Sequence, residues 1–179
     1  MMGLSDFFKT RNADSRESKT IELLSRVPLF DLLERRELAA LERIMHLREY
    51  QQGEYVFRQG ERGLGMYIIM SGRVAVISEP DGHELSELSD GEFFGEVALL
   101  DDSFRSATVR AKTDCSILGF FQPDLNDLIA RDPRLGLKIV MKLGRHACIR
   151  LRNSNDRVVA LSEEINNMKS SGRTELENQ

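Results

Sequence analysis

The chain has 179 residues and a formal net charge of −4, with 41 % hydrophobic and 30 % charged residues. That length buries one core but hardly two, and the acidic balance speaks against a protein that binds nucleic acid through its whole surface. No apolar run approaches the roughly 20 residues needed to cross a bilayer, and two cysteines make no disulfide scaffold, so a soluble protein of the reducing cytoplasm is expected.

Residues 1–16 mix Lys, Arg, Asp, Asn and Ser without period and are expected to form a flexible arm, although Leu4, Phe7 and Phe8 lie within it. The opening residues lack the basic segment and long apolar core of a secretory signal and miss the myristoylation pattern, so export is not indicated. Glu17 to Arg26 reads as a short helix with Ile21, Leu24 and Ser25 on one face, broken at Pro28, which has no N–H to give. Leu38, Leu41, Ile44 and Met45 mark a second amphipathic helix from Glu34 to His46.

From His46 onward the apolar period shortens. Tyr55 and Phe57, Met66 to Met70, Val74 to Ile77, Val109 to Ala111 and Cys115 to Phe121 form short runs closed by glycine or by Pro80-Asp81-Gly82. About eight antiparallel strands are expected, which suits a small closed β-roll of the jelly-roll kind in a mostly β protein with flanking helices.

The richest stretch is Phe94-Gly95-Glu96-Val97-Ala98-Leu99-Leu100 with Arg105-Ser106-Ala107-Thr108-Val109 behind it. Phe93, Phe94 and Val97 to Leu100 are apolar enough to be buried, yet Glu96 sits among them, and a buried carboxylate is rare unless something satisfies it. Gly95 lets a ligand approach the backbone, and a helical turn starting there would aim free N–H groups, Ala98 among them, at an anion. Arg105 can grip two phosphate oxygens at once, and Ser106 adds a hydroxyl. The alternative is that Glu96 and Arg105 form a buried ion pair without a ligand, a reading that the surrounding sequence disfavours.

This stretch resembles the phosphate-binding cassette of the cyclic nucleotide-binding domain: Phe-Gly-Glu, a small residue two places on, a short loop, then Arg-Ser-Ala. The resemblance runs from Val27-Pro28-Leu29-Phe30 to about Arg157, with Gly53, Gly60, Gly72, Gly82 and Gly91 where that family turns its strands and Asp132-Pro133 before the last helix. It implies that Glu96 takes a ribose 2′-hydroxyl and Arg105 a cyclic phosphate, with Gly95, Val97, Ala98, Ser106 and Ala107 completing the cassette. Val76, Leu85 and Leu88 match the family's apolar wall for the base, and ordinary core packing explains them as well. Four domains of the chain follow: the arm, the nucleotide-binding roll with its entry helices at 17–133, a lid and dimerisation helix at 134–168, and a disordered tail at 169–179.

Leu125, Leu128 and Ile129 restore the helical period, and from Arg134 a long helix follows with no further proline. Val140, Leu143 and Ala147 form one apolar set and Val158, Leu161, Ile165 and Met168 another, joined through Leu151 by a half-heptad stutter. The first set could pack on the roll, whereas the second needs a partner helix, and a homodimer is expected. Here the resemblance narrows to the catabolite activator branch, in which Arg150 to Val158 would lie at the base, Ser154 facing it within its own subunit and Asn155 reaching the neighbour's. This chain carries four more residues than that branch between Pro133 and this segment, about one helical turn.

About twenty polar residues follow Ala160, too few for the winged helix of such activators, so no DNA binding and no membrane contact are expected. His46, His83 and His146 stand far apart, no metal site is expected, and no nucleophile elbow or Walker loop is present, so a non-enzyme without cofactor is expected. The reading is a sensor of a cyclic mononucleotide, cAMP rather than cGMP, acting through its final helix on a dimer surface or an unidentified effector protein. A structural adaptor with a differently filled pocket is the alternative.

Overall fold

In a computed structural model the described residues are 19–79, 81–101 and 103–177, with side chains as far as residue 165. The expected arm at 1–16 lies outside them. The first helix, α1, covers 19–26 and buries Thr20, Ile21 and Leu24, while Ser25 stays outside and donates its hydroxyl back to the Glu22 carbonyl at 2.7 Å. The second, α2 (Arg35–Glu42), is shorter than expected. Turns at Ile44 and Met45 end it, so that Met45 is buried and His46 opens a strand.

Eight strands follow: β1 (His46–Tyr50), β2 (Tyr55–Phe57), β3 (Gly65–Ser71), β4 (Val74–Ser78), β5 (His83–Leu88), β6 (Phe93–Phe94), β7 (Thr108–Ala111) and β8 (Cys115–Phe121). They form two antiparallel four-stranded sheets in the orders β1-β8-β3-β6 and β2-β7-β4-β5, the roll that the sequence implied. The five glycines noted at strand ends, Gly53 to Gly91, all have positive φ, which lets each turn close tightly.

The central strands β3 and β8 are covered on both faces, which is why they read as continuous apolar runs. Alternate residues divide between two cores. Met66 and Ile68 of β3 and Leu118 and Phe120 of β8 face the helices, with Leu24, Phe30, Leu41 and Leu125. Ile69 and Ile117 face the other way, into the inter-sheet core with Tyr50, Val74, Phe94 and Val109.

After α3 (Gln122–Arg131), α4 runs Pro133–Glu177. The helix thus continues past Met168 into the segment expected to be a disordered tail, because no proline after Pro133 stops it. The chain divides after Leu143 into two compact units. Within the first, the inward face of α4 is Leu135, Ile139 and Leu143, with Val140 half-buried. Lys138 Nζ binds both oxygens of Glu37 at 2.7 and 2.9 Å, and Lys142 pairs with Asp31 at 2.5 Å, so two ion pairs fasten this face at its edge. Among the described residues no helix is long and apolar enough to cross a membrane.

Two glycines of α4 should respond oppositely to a methyl group. A Cβ on Gly136 would stand 2.5 Å from Ile129 Cγ1 and 2.9 Å from its Cα, whereas one on Gly144 meets nothing within 4 Å. Gly136→Ala should lower the thermal midpoint by the equivalent of about 1–3 kcal/mol, and Gly144→Ala should raise it by about 0.5–1 kcal/mol through helix propensity. The Glu37 carboxyl supplies a pH signature. Burial works to raise its pKa, but the Lys138 ammonium, the Glu34 N–H and Arg36 outweigh this and hold it below the ordinary carboxylate value. Its stabilising contribution is therefore present above the unfolded-state pKa and is lost as pH falls through the depressed folded one. Thermal melts from pH 6 down to pH 3 should show a smaller acid loss in Glu37→Gln than in wild type.

Candidate functional site

The cassette forms one compact turn. Gly95, at φ 74°, ends β6 and opens a single 3-10 turn, Glu96–Leu99, which a side chain at position 95 would obstruct. Glu96 is 3 % exposed and Arg105, in the loop before β7, is 7 % exposed, so both charged groups are buried as the sequence implied. Ala98 and Leu99 are buried too. Val97 and Leu100, expected inside, are about half exposed, because a turn of four residues can face only one side inward. The Ala98 N–H, expected to be free for an anion, donates within the turn to Gly95 O at 3.2 Å.

Arg105 is fixed through backbone, carbonyls and rings together. Its backbone N–H donates to Glu61 O at 2.8 Å and its carbonyl accepts from Gly60 N at 2.9 Å, while Gly63 N donates to Ser103 O at 3.1 Å. The loop between β2 and β3 thus holds the arginine loop as a strand would. At the guanidinium, Nη2 donates to Gly65 O at 2.8 Å and Nη1 to Gly95 O at 3.2 Å. Its carbon lies 4.0 Å from the Phe57 ring centre and 5.5 Å from that of Tyr67, a cation–π seat worth about 0.5–2 kcal/mol. Phe57, Tyr67 and Phe94 pack within 5.7 Å of one another, which keeps that seat rigid.

Nε of Arg105 is buried and has no hydrogen-bond partner among the described residues. Burial pulls the pKa of the guanidinium down, while Tyr67, Glu61 and Glu96 push it back, and an arginine remains a cation under any physiological condition. A desolvated cation with an unused donor, beside a buried carboxylate, can take an anion and a hydroxyl donor together.

The rest of the cassette is arranged around this pair. Ser106 is exposed and Ala107 half-buried. Thr108 is 1 % exposed, accepts from Gln59 N at 2.9 Å and donates to Glu79 at 2.6 Å, which fixes the start of β7. Of the expected base wall, Val76 and Leu88 lie half-buried against the inter-sheet core, but Leu85 is 57 % exposed and takes no part in it. Pairing explains this: Val76 lies opposite Ser86 and Ile77 opposite Glu84, so Leu85 is the extra residue of a bulge in an edge strand that is exposed throughout but for Leu88. Ser154 and Asn155 are exposed residues of α4 in the second unit. Sequence reasoning missed Phe57, Tyr67, Gly63 and Gly65. The Arg62-Gly63-Leu64-Gly65 run was the available signal: a Cβ on Gly63 would stand 2.6 Å from Ala98 Cβ, and one on Gly65 would collide with the backbone of Phe120 and Phe121.

The family profile described as the cyclic nucleotide-binding domain matches residues 47–132, and this chain belongs to that family. A putative potassium channel protein of Rhodopseudomonas palustris is 39 % identical over 118 residues, 65 % of this chain and 29 % of the relative. The cAMP-dependent protein kinase regulatory subunit of Mycosarcoma maydis is 44 % identical over 92 residues, 50 % of this chain and 18 % of the relative. The crystal structure of the N-terminal domain of a transcriptional regulator from Streptomyces coelicolor superposes with a TM-score of 0.65 at 30 % identity, covering 75 % of this chain and 92 % of that one. The chain therefore spans less than a third of the length of these two curated relatives.

A methyl group at Gly95 would stand 2.5 Å from Arg105 Nη1, whereas one at Gly82, which has a similar φ of 64°, would meet nothing within 4 Å. Both alanine variants carry left-handed backbone strain of about 1–2 kcal/mol. Gly95→Ala should lower the thermal midpoint further than Gly82→Ala, and equal losses would mean that the guanidinium is free to move aside.

Proposed function

We propose that this chain is a regulatory sensor of a cyclic mononucleotide, cAMP rather than cGMP, that works without catalysis in the cytoplasm. The observation that supports it most is Arg105: a buried cation held on two rings and two carbonyls, with one donor unspent, nine positions after the buried carboxylate that opens the 3-10 turn. On this reading Arg105 pairs with the cyclic phosphate and Glu96 accepts a hydrogen bond from the ribose 2′-hydroxyl. Gly95, Ala98, Ser106 and Ala107 shape the cradle, and Val76 and Leu88 flank the base. The choice of cAMP rests on the likeness to the kinase regulatory subunit and to the catabolite activator branch. Binding is read out through α4, by which two copies associate and an effector protein is contacted.

Thermal unfolding with cAMP, cGMP and 5′-AMP titrated in parallel tests this. At a hundredfold excess over its dissociation constant a ligand adds about 2.7 kcal/mol, a rise of roughly 5–10 °C for a chain of this length. The rise should appear with cAMP and vanish in Arg105→Ala, whose far-UV spectrum should match wild type. A rise that survives in Arg105→Ala would remove that residue from the phosphate, and no rise with any nucleotide would leave the adaptor reading in its place.

A further inference from the structure

Glu79 is a carboxylate that the nucleotide reading does not use, yet a ring of hydrogen bonds ties it to the arginine loop. Gln59 N–H donates to Thr108 Oγ1 at 2.9 Å, the Thr108 hydroxyl donates to Glu79 Oε1 at 2.6 Å, and Glu79 N–H donates to Gln59 Oε1 at 2.7 Å. Chemistry settles the directions: an amide N–H can only donate, so the hydroxyl accepts from Gln59 and gives its single proton to the carboxylate. Each member comes from a different part of the roll. Gln59 follows β2, Glu79 follows β4 and Thr108 opens β7. Thr108 is buried, Gln59 half-buried and Glu79 exposed, so the ring runs from the interior to the surface.

What the ring holds is the loop between β2 and β3. Immediately after Gln59, Gly60 N donates to Arg105 O and Glu61 O accepts from Arg105 N, while Gly65, where β3 begins, accepts from Arg105 Nη2. The inner end of this loop is set by packing: a Cβ on Gly63 would stand 2.6 Å from Ala98 Cβ and 3.2 Å from Ser103 O. The outer end is not. A Cβ on Gly60 would meet nothing within 4 Å, and the hydrogen bonds between Arg58 and Glu61 stay within the loop. At this end the loop is therefore placed by polar contacts, and those to the β4 end and to β7 are the bonds of the ring.

We propose that Thr108 and Glu79 are positioning residues for Arg105: through Gln59 they hold the β2–β3 loop where it presents Gly60, Glu61 and Gly65 to the arginine. This deepens the sensor reading given above and rests on it for the anion that Arg105 takes, whereas the positioning belongs to the chain without nucleotide. Thr108 is the member on which the others depend. Thr108→Val keeps its shape, removes both bonds of the hydroxyl and leaves the Gln59 N–H unanswered, while Thr108→Ser keeps both.

Amide hydrogen exchange on the full chain without nucleotide, together with cAMP titration calorimetry, tests this. In Thr108→Val the amides of Gly60, Gly63 and Arg105 should exchange about tenfold faster while those in the middle of β3 and β8 keep their rates, and Thr108→Ser should match wild type. The cAMP dissociation constant should rise about tenfold in Thr108→Val, and adding Glu79→Ala should weaken binding little further, because the bond it would remove is already gone. Gly136→Ala, which lowers stability away from the site, should bind cAMP as wild type does. Unchanged loop amides in Thr108→Val, an unchanged cAMP affinity beside faster exchange, equal weakening in Gly136→Ala, or a double variant weakened by the product of the single effects would each overturn the assignment. Should Thr108→Val fail to fold, Glu79→Ala, an exposed position, carries the same test through the same amides. If wild type binds none of cAMP, cGMP and 5′-AMP, the sensor reading falls and the exchange rates alone decide the positioning: faster loop amides uphold it and unchanged ones overturn it.

Discussion

Burying a guanidinium costs several kcal/mol unless its donors and its charge are answered, and most of the roll can be understood as the answer given to Arg105. Two carbonyls accept from its terminal nitrogens, and both belong to glycines: a Cβ at Gly95 would stand 2.5 Å from Nη1, and one at Gly65 would collide with the backbone of Phe120 and Phe121. The rings of Phe57 and Tyr67 supply the face on which the cation lies, one from each sheet. The loop 60–63 holds the arginine's own backbone. Elements far apart in the chain are thus committed to one side chain, and the group left over, Nε, is the point at which an anion can add to the set.

The doubly covered sheet gives this arrangement its stiffness. Tyr67 points into the inter-sheet core while its neighbours Met66 and Ile68 point into the helical one, so the ring under the guanidinium cannot shift without disturbing both. The same helical core receives Leu135, Ile139 and Leu143 of α4, and Lys138 and Lys142 tie that stretch to Glu37 and Asp31. The start of the long helix and the arginine seat therefore share one packed strand.

Much was legible in the residues. The strands followed from their shortened period, and the cassette followed from its locality: Glu96 and Arg105 are separated by nine residues and one glycine-led turn, so the contact order is low enough for sequence to show it. The exposure of Val97 and Leu100 was not legible, since hydrophobicity states a preference and the geometry of a four-residue turn decides which side chains can follow it. The exposure of Leu85 was not legible for a similar reason, because a bulge in strand pairing and not composition set its position.

By itself the sequence determined the order of elements, the turn residues and the pairing of an acid with an arginine, all set by local backbone preference and spacing. Tertiary structure alone decided what lies beneath the arginine, since Phe57 and Tyr67 come from strands that meet only when the two sheets close. It also decided the phase of α4. Val140–Leu143–Ala147 and Leu135–Ile139–Leu143 have equally good helical spacing, and only the presence of the roll against one side of the helix selects which set is buried.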